Sequence, residues 1–220
     1  MAVRRIYHQG DDRFAVASMR KYFVKKQEMD KLLDELIVLY VANKKLKILD
    51  AGCGIGHSCH FLNQLSSKSE FFGIDQTSVY IREAKRLFGK MSNLSFVVGN
   101  VEDLPIKYPK IFDVAISRAV ISWLPGYEEF VKALLKVTKK HIFISSLFYD
   151  GDIDFITKVH MYKGESGHNK FPAEEYRNVY SLPRFKRYVK GLGAKRIQAY
   201  DFDIGIDLPR GPIDQMSTYT

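Results

Sequence analysis

Residues Ile48 to Gly56 read Ile-Leu-Asp-Ala-Gly-Cys-Gly-Ile-Gly. A short apolar run ends in the acid Asp50 and opens onto three alternate glycines, Gly52, Gly54 and Gly56. The basic stretch Lys44-Lys45-Leu46-Lys47 precedes it, and a helix-like stretch, His57 to Leu65, follows. A strand that stops in a glycine turn and feeds a helix presents bare backbone N–H groups beside a helix N-terminus. Such a place receives a small ligand with polar, partly anionic ends.

From Lys44 onward apolar runs alternate with amphipathic stretches. Strands are predicted over Leu46–Asp50, Phe71–Asp75, Leu94–Val98, Phe112–Ser117, His141–Phe148 and Arg196–Phe202. Helices are predicted over His57–Leu65, Val79–Phe88 and Tyr127–Val137, where Tyr127, Phe130, Val131, Leu134 and Leu135 recur at three and four. A further helix runs from its cap Ser181, with Pro183 early, to Gly191 and Gly193 at its end. Strand alternating with helix means a mostly parallel, doubly wound sheet covered on both faces. Its ligands bind at the carboxyl ends of strands, where strand order reverses.

The division predicted is an N-terminal helical arm, residues 1–43, and a main domain, residues 44–220, with an insert at 149–180. In the arm Met29, Leu32, Leu33, Leu36, Ile37 and Tyr40 form a stripe that suits packing on the sheet. Tyr7, His8, Phe14, Tyr22 and Phe23 form either a lid over a ligand or ordinary helix contacts.

The chain's 220 residues suffice for one sizeable domain, and 46% hydrophobic residues argue against disorder. No apolar run approaches the roughly 18 residues of a membrane span. Met1 to Arg13 is too polar for a secretory signal. Cys53 and Cys59 suit a reducing cytoplasm, and no four-ligand metal pattern exists. The alternating Asp150, Asp152 and Asp154 lack the glycine and glutamate of a calcium loop, so no metal is expected. The net charge is +9. Tyr176 to Tyr200 holds Arg177, Arg184, Lys186, Arg187, Lys190, Lys195 and Arg196 and no acid. That tract is either a solvated face or an attraction for phosphates and nucleic acid.

The glycine spacing separates possible loops. A dinucleotide loop wants Gly or Ala where this chain has His57, and no Lys-Ser/Thr follows for a P-loop. The pattern Asp50-x-Gly52-x-Gly54-x-Gly56 resembles motif I of the class I S-adenosylmethionine-dependent methyltransferases. Phe71-Phe72-Gly73-Ile74-Asp75, Gly99-Asn100-Val101-Glu102-Asp103-Leu104-Pro105, Phe112-Asp113-Val114-Ala115-Ile116-Ser117 and the turn Trp123-Leu124-Pro125 continue the likeness in order over residues 46–148. The resemblance implies an α/β fold of the Rossmann-like methyltransferase type; after the sixth predicted strand only Gly205 to Thr220 follow, so its seventh strand is expected to be short or missing. It implies S-adenosylmethionine as cofactor, leaving as S-adenosylhomocysteine. The residues it assigns to that cofactor are Asp50, Gly52, Cys53, Gly54, Gly56, Asp75, Gln76, Asn100, Val101, Glu102 and Ser117. Asp75 holds the ribose hydroxyls, a task for a carboxylate with two acceptor oxygens. Asn100 stands where the family usually has Asp, and its amide oxygen still accepts from the adenine amino group. Asp50 and carbonyls near Ser117 face the ammonium end, with ordering of the turn as the alternative role of Asp50.

The acceptor is less legible. The Asn/Asp-Pro-Pro-Tyr motif of nucleic-acid amine methyltransferases is absent, and Ser117-Arg118-Ala119-Val120 stands in its place. A small polar acceptor methylated at oxygen or nitrogen is expected, the narrower form being a sugar or nucleotide sugar. RNA or ribonucleoprotein methylation is the alternative that the basic tract suggests. A non-catalytic cofactor-binding subunit is the alternative that Asn100 suggests. Candidate acceptor contacts are Tyr7, Tyr22, Arg118, Trp123, Tyr149 and Tyr176, with Trp123 alternatively packing under its turn. His160 and His168 in the insert are the candidate bases, since only histidine titrates near neutrality unperturbed.

Overall fold

A computed structural model of the chain describes residues 12–24, 26, 28–161 and 173–202. In chain order the elements are α1 (Asp12–Val24), α2 (Glu28–Val41), β1 (Lys47–Ala51), α3 (His57–Leu65), β2 (Glu70–Asp75), α4 (Ser78–Phe88), β3 (Leu94–Val98) and α5 (Leu104–Lys107). Then come β4 (Phe112–Arg118), α6 (Glu128–Val137), β5 (Thr138–Ser145), β6 (Phe148–Tyr149), β7 (Lys158–Met161), β8 (Ala173–Tyr176), β9 (Tyr180–Ser181) and α7 (Leu182–Gly191).

Five strands form one parallel sheet in the order β3-β2-β1-β4-β5. The chain builds outward from β1 through β2 to β3, then returns to place β4 on the other side of β1. Strand order therefore reverses between β1 and β4, and a crevice opens at their carboxyl ends. β1 is covered on both faces, so Ile48, Leu49 and Ala51 are all buried. Leu49 and Ala51 join one core layer with Ala115, Val131, Leu134 and Val137. Ile48 joins the other with Ile37, Val41, Leu62, Phe71, Ile81 and Ile116. Each fully buried aliphatic or phenyl side chain contributes about 1.5–3 kcal/mol.

The helical stripe of the arm lies on α2; its Leu33, Ile37 and Tyr40 pack on the second layer, joined by Val41. α3 and β3 have the predicted bounds. α7 begins at its predicted cap, where the Ser181 hydroxyl accepts from the Arg184 N–H at 3.2 Å. Past its end Gly193 adopts φ +93°.

Two expectations change. β5 starts at Thr138, directly after α6, and ends at Ser145 rather than Phe148. Lys139 and Lys140 are exposed on it. Charged residues on an edge strand face water, so they do not signal a loop. Arg196–Phe202 is not a strand, and Tyr200 and Phe202 stand exposed. Its apolar alternation finds no neighbouring ladder among the described residues. Among those residues no helix is long and apolar enough to cross a membrane.

Candidate functional site

The three glycines are required by backbone geometry. Gly52, Gly54 and Gly56 take φ of +78°, +52° and +91°, the left-handed region. A side chain there costs about 1–2 kcal/mol before any contact is counted. A Cβ on Gly52 would also lie 2.4 Å from Val120 Cγ2, and one on Gly56 would lie 2.9 Å from the Phe96 ring. Gly56→Ala is therefore expected to lower thermal stability by roughly 1–3 kcal/mol. Gly191→Ala, where a Cβ meets nothing within 4 Å, is the control. Equal melting temperatures would show that the loop relaxes without cost.

The loop spends its donors differently from the sequence expectation. The Gly52 and Cys53 N–H groups donate to the Ile74 carbonyl at 2.8 and 3.0 Å. The Gly54 N–H donates to Asp75 Oδ2 at 2.9 Å, and the Gly56 N–H to the Cys53 carbonyl at 2.9 Å. What the glycines supply is close approach, not a row of bare amides. Asp75 also accepts the Thr77 N–H on Oδ1 at 2.8 Å. Both carboxylate oxygens thus tie backbone of the loop and of the turn after β2.

Around the reversal the strand ends bring the other expected residues together. Asp50 on β1 is 2% exposed. Burial is the main cause that lifts its carboxyl from 3.8 to about 6, opposed by the Arg118 charge and the Cys59 thiol. Cys59 Sγ donates to Asp50 Oδ2 at 3.6 Å. Burial pushes the thiols of Cys53 and Cys59 well up, so both stay protonated. Ser117 on β4 is fully buried, and its hydroxyl has no partner among the described residues. Gln76 follows β2, and Asn100 precedes a short 3-10 turn, Val101–Asp103, in which Val101 is buried and Glu102 half-buried.

The arm reaches this loop. Met19 on α1 lies beside Gly54, where its sulfur would be 3.6 Å from a Cβ. His57 Nε2 is 2.8 Å from the Met19 carbonyl, and the Phe23 ring packs on the His57 ring at 4.0 Å. Burial lowers the His57 pKa, which keeps the ring neutral. The Tyr22 ring meets His57 edge-on at 6.0 Å. The salt bridge Arg20–Glu83, at 2.7 Å, ties α1 to α4. Of the aromatics expected as lid or packing residues, Tyr22 and Phe23 make packing contacts with His57, while Tyr7, His8 and the Phe14 side chain lie outside the description.

Arg118, an expected acceptor contact, donates from Nη1 to Asp30 at 2.6 Å and from Nη2 to Asp34. Lys26 also pairs with Asp34. Trp123 carries the Arg177 guanidinium over its ring at 4.0 Å, and Arg177 pairs with Glu175 at 3.1 Å. Tyr149 is exposed and meets Phe155 at 5.5 Å between ring centroids. Tyr176 lies half-buried at the end of β8, paired with Lys158 of β7. His160 lies on β7 opposite Glu174, and its side chain is outside the description. Tyr7 and His168 lie outside the described residues.

The basic tract is partly neutralised. Arg184 pairs with Asp154 at 3.2 Å and Arg187 with Asp152, besides the Arg177–Glu175 pair. The sequence reading missed Asp30 and Asp34, whose partner lies more than eighty residues away, and the buried pair Asn178 and Tyr180. Their signals were helical spacing in α2 and an amide set between Tyr176 and Tyr180.

Comparison with known proteins follows the same lines. The profile of a family described as a methyltransferase domain matches residues 42–178. Malonyl-[acyl-carrier protein] O-methyltransferase of Bacillus anthracis is 31% identical over 111 residues, 50% of this chain and 40% of that enzyme. Arsenite methyltransferase of Mus musculus is 32% identical over 104 residues, 42% of this chain and 28% of that enzyme. The chain thus spans well under half the length of these relatives. Among solved structures, the complex between the Haloferax volcanii Trm112 methyltransferase activator and a methyltransferase aligns with a TM-score of 0.59 at 17% identity. That alignment covers 92% of this chain and 84% of the other, and it shows the shared fold.

Proposed function

Because the chain belongs to the methyltransferase-domain family, we propose that it transfers the methyl group of S-adenosylmethionine to oxygen or nitrogen of a small polar molecule. The observation that carries this reading is Asp75. It sits at the carboxyl end of β2 and ties the glycine loop with one oxygen. A carboxylate with two acceptor oxygens at that strand end suits the two ribose hydroxyls. Gly52, Cys53, Gly54 and Gly56 let the amino-acid end approach, Asp50 and Ser117 face it, and Gln76, Asn100, Val101 and Glu102 frame the adenine. The cofactor supplies an activated methyl on a sulfonium. The chain's part is to hold the acceptor about 3–3.5 Å from that carbon, in line, and to exclude water. The arm, residues 1–43, covers the cofactor loop through Met19 and Phe23. The insert, residues 149–180, forms the acceptor wall with Trp123, Tyr149 and Tyr176, and it carries the candidate bases His160 and His168.

The names of the relatives, a malonyl-[acyl-carrier protein] O-methyltransferase and an arsenite methyltransferase, support a small acceptor group. A sugar or nucleotide sugar is the narrower proposal. The test is calorimetry of the chain with S-adenosylhomocysteine and with NAD, followed by transfer of labelled methyl to a panel of sugars and amines. Binding of NAD in preference, or no binding of S-adenosylhomocysteine, overturns the reading. RNA methylation remains the second reading, motivated by Lys186, Lys190, Lys195 and Arg196. Binding of RNA at low salt that falls steeply as salt rises would favour it.

The cofactor's ammonium also sets a pH dependence. The folded chain holds the Asp50 proton up to about pH 6, above its ordinary 3.8. Stability from this group is full below the unfolded value and is lost as pH rises through 6. An ammonium beside Asp50 favours the charged form. Affinity for S-adenosylhomocysteine is therefore expected to rise roughly tenfold or more from pH 4.5 to 7 and then level off. In Asp50→Asn that slope should vanish. A flat wild-type profile would place the ammonium away from Asp50.

A further inference from the structure

Three features meet at the end of β4. Arg118 is the last residue of that strand, and its side chain is only 12% exposed. Both its terminal nitrogens are committed to carboxylates of α2, Nη1 to Asp30 and Nη2 to Asp34. Its Nε–H, equally buried, finds no hydrogen-bond partner among the described residues. A guanidinium fixed at two nitrogens cannot swing to find another acceptor, and leaving a charged donor buried and unmet is costly.

The neighbours restrict what could meet it. Asp50 pairs in register with Ile116. Side chains alternate along a strand, so Asp50, Ile116 and Arg118 share one face of the sheet. Proximity of Arg118 to Asp50 is also visible as a lowering of the Asp50 pKa. Lys26 and Arg118 balance Asp30 and Asp34, so that cluster is neutral as a group. Asp50 is left over as a buried acid. A bare anion at Nε would be repelled by Asp50, and a bare cation at Asp50 would leave Nε unmet. A group that carries an ammonium and a carboxylate on one carbon satisfies both.

We infer that Arg118 is the anchor for the carboxylate of the cofactor's amino-acid end, held in place for that task by Asp30 and Asp34 of the N-terminal arm. This rests on the cofactor reading above. It moves Arg118 from the acceptor side, where the sequence placed it, to the cofactor. It also gives α2 a role in cofactor binding without touching the cofactor.

The experiment compares two ligands by calorimetry on the full chain. S-adenosylhomocysteine has the amino-acid end, and 5′-methylthioadenosine lacks it. In Arg118→Lys the charge facing Asp30 and Asp34 is kept but the forked donors are lost. Its affinity for S-adenosylhomocysteine should fall at least about tenfold while that for 5′-methylthioadenosine stays within about twofold. Arg118→Met combined with Asp30→Asn and Asp34→Asn, which leaves neither α2 acid without its cation, should give the same collapse of the ratio. Equal weakening of both ligands makes Arg118 a structural residue and overturns the proposal. So does unchanged affinity for both. If the unaltered chain binds 5′-methylthioadenosine but not S-adenosylhomocysteine, the amino-acid site fails while the adenosine site stands. If it binds neither, the cofactor reading itself falls and this proposal with it.

Discussion

Asp75→Ala is expected to weaken S-adenosylhomocysteine binding by roughly ten- to hundredfold. Hydrogen bonds to a charged acceptor contribute about 1.5–3 kcal/mol, and each 1.4 kcal/mol is tenfold in affinity. The loss has two sources. The ribose hydroxyls lose their acceptor, and so does the Gly54 N–H, which Asp75 holds at 2.9 Å. Gly54 sits at positive φ, so an untethered loop has other conformations open to it. Asp75→Asn keeps one acceptor oxygen but turns a donor toward the other partner, and should fall between. Calorimetry at fixed salt measures both. An affinity unchanged in Asp75→Ala places the ribose elsewhere.

The largest loss of stability is expected from Asn178→Leu, about 3–5 kcal/mol. Asn178 is fully buried, and its side chain uses both ends. Nδ2 donates to the Leu124 carbonyl at 2.7 Å and to the Tyr180 hydroxyl at 2.9 Å, while Oδ1 accepts the Thr157 N–H at 3.0 Å. Leucine has similar bulk but meets none of these groups, so the Leu124 carbonyl keeps only the Tyr180 hydroxyl and the Thr157 N–H loses its acceptor. The damage should also reach function, because Leu124 ends the turn that carries Trp123. Tyr180→Phe removes only the hydroxyl that lies 3.2 Å from the Ile121 and Leu124 carbonyls and should cost about 1–2 kcal/mol. Denaturant melts separate the two. A loss under 1 kcal/mol in Asn178→Leu would mean that water replaces its bonds.

Local pattern carried much of this fold into view. The helix from His57 shows its start because three glycines stop the strand before it, and α7 shows both ends through Ser181 and Gly193. β5 starts earlier than its pattern predicts because Lys139 and Lys140 look like a loop, and its place at the edge of the described strands explains why charge is allowed there. At the site, strand-end acids and glycines were legible because their role depends on adjacent backbone. The partner of Arg118 was not. Asp30 lies 88 residues away, and nothing in either segment's periodicity marks the pairing. Nor did the glycine spacing reveal that its amides would be spent on Ile74 and Asp75.

The reversal of strand order has a consequence for how the chain acquires its crevice. β1 sits between β2, which follows it closely, and β4, which does not. Lys47 and Asp113, joined across the β1–β4 seam by a 3.0 Å hydrogen bond, are 66 residues apart. During synthesis β1, β2 and the glycine loop emerge first and can pair at once. The crevice has no second wall until β4 arrives. Loop closure over such a separation is slow compared with helix and local strand formation. A nascent chain released before Arg118 would have its glycine turn, but α2 would carry Asp30 and Asp34 with no cation from the sheet to meet them. Adding S-adenosylhomocysteine during refolding should therefore leave the early phases unchanged and act only on the last one, after the two halves of the sheet have joined.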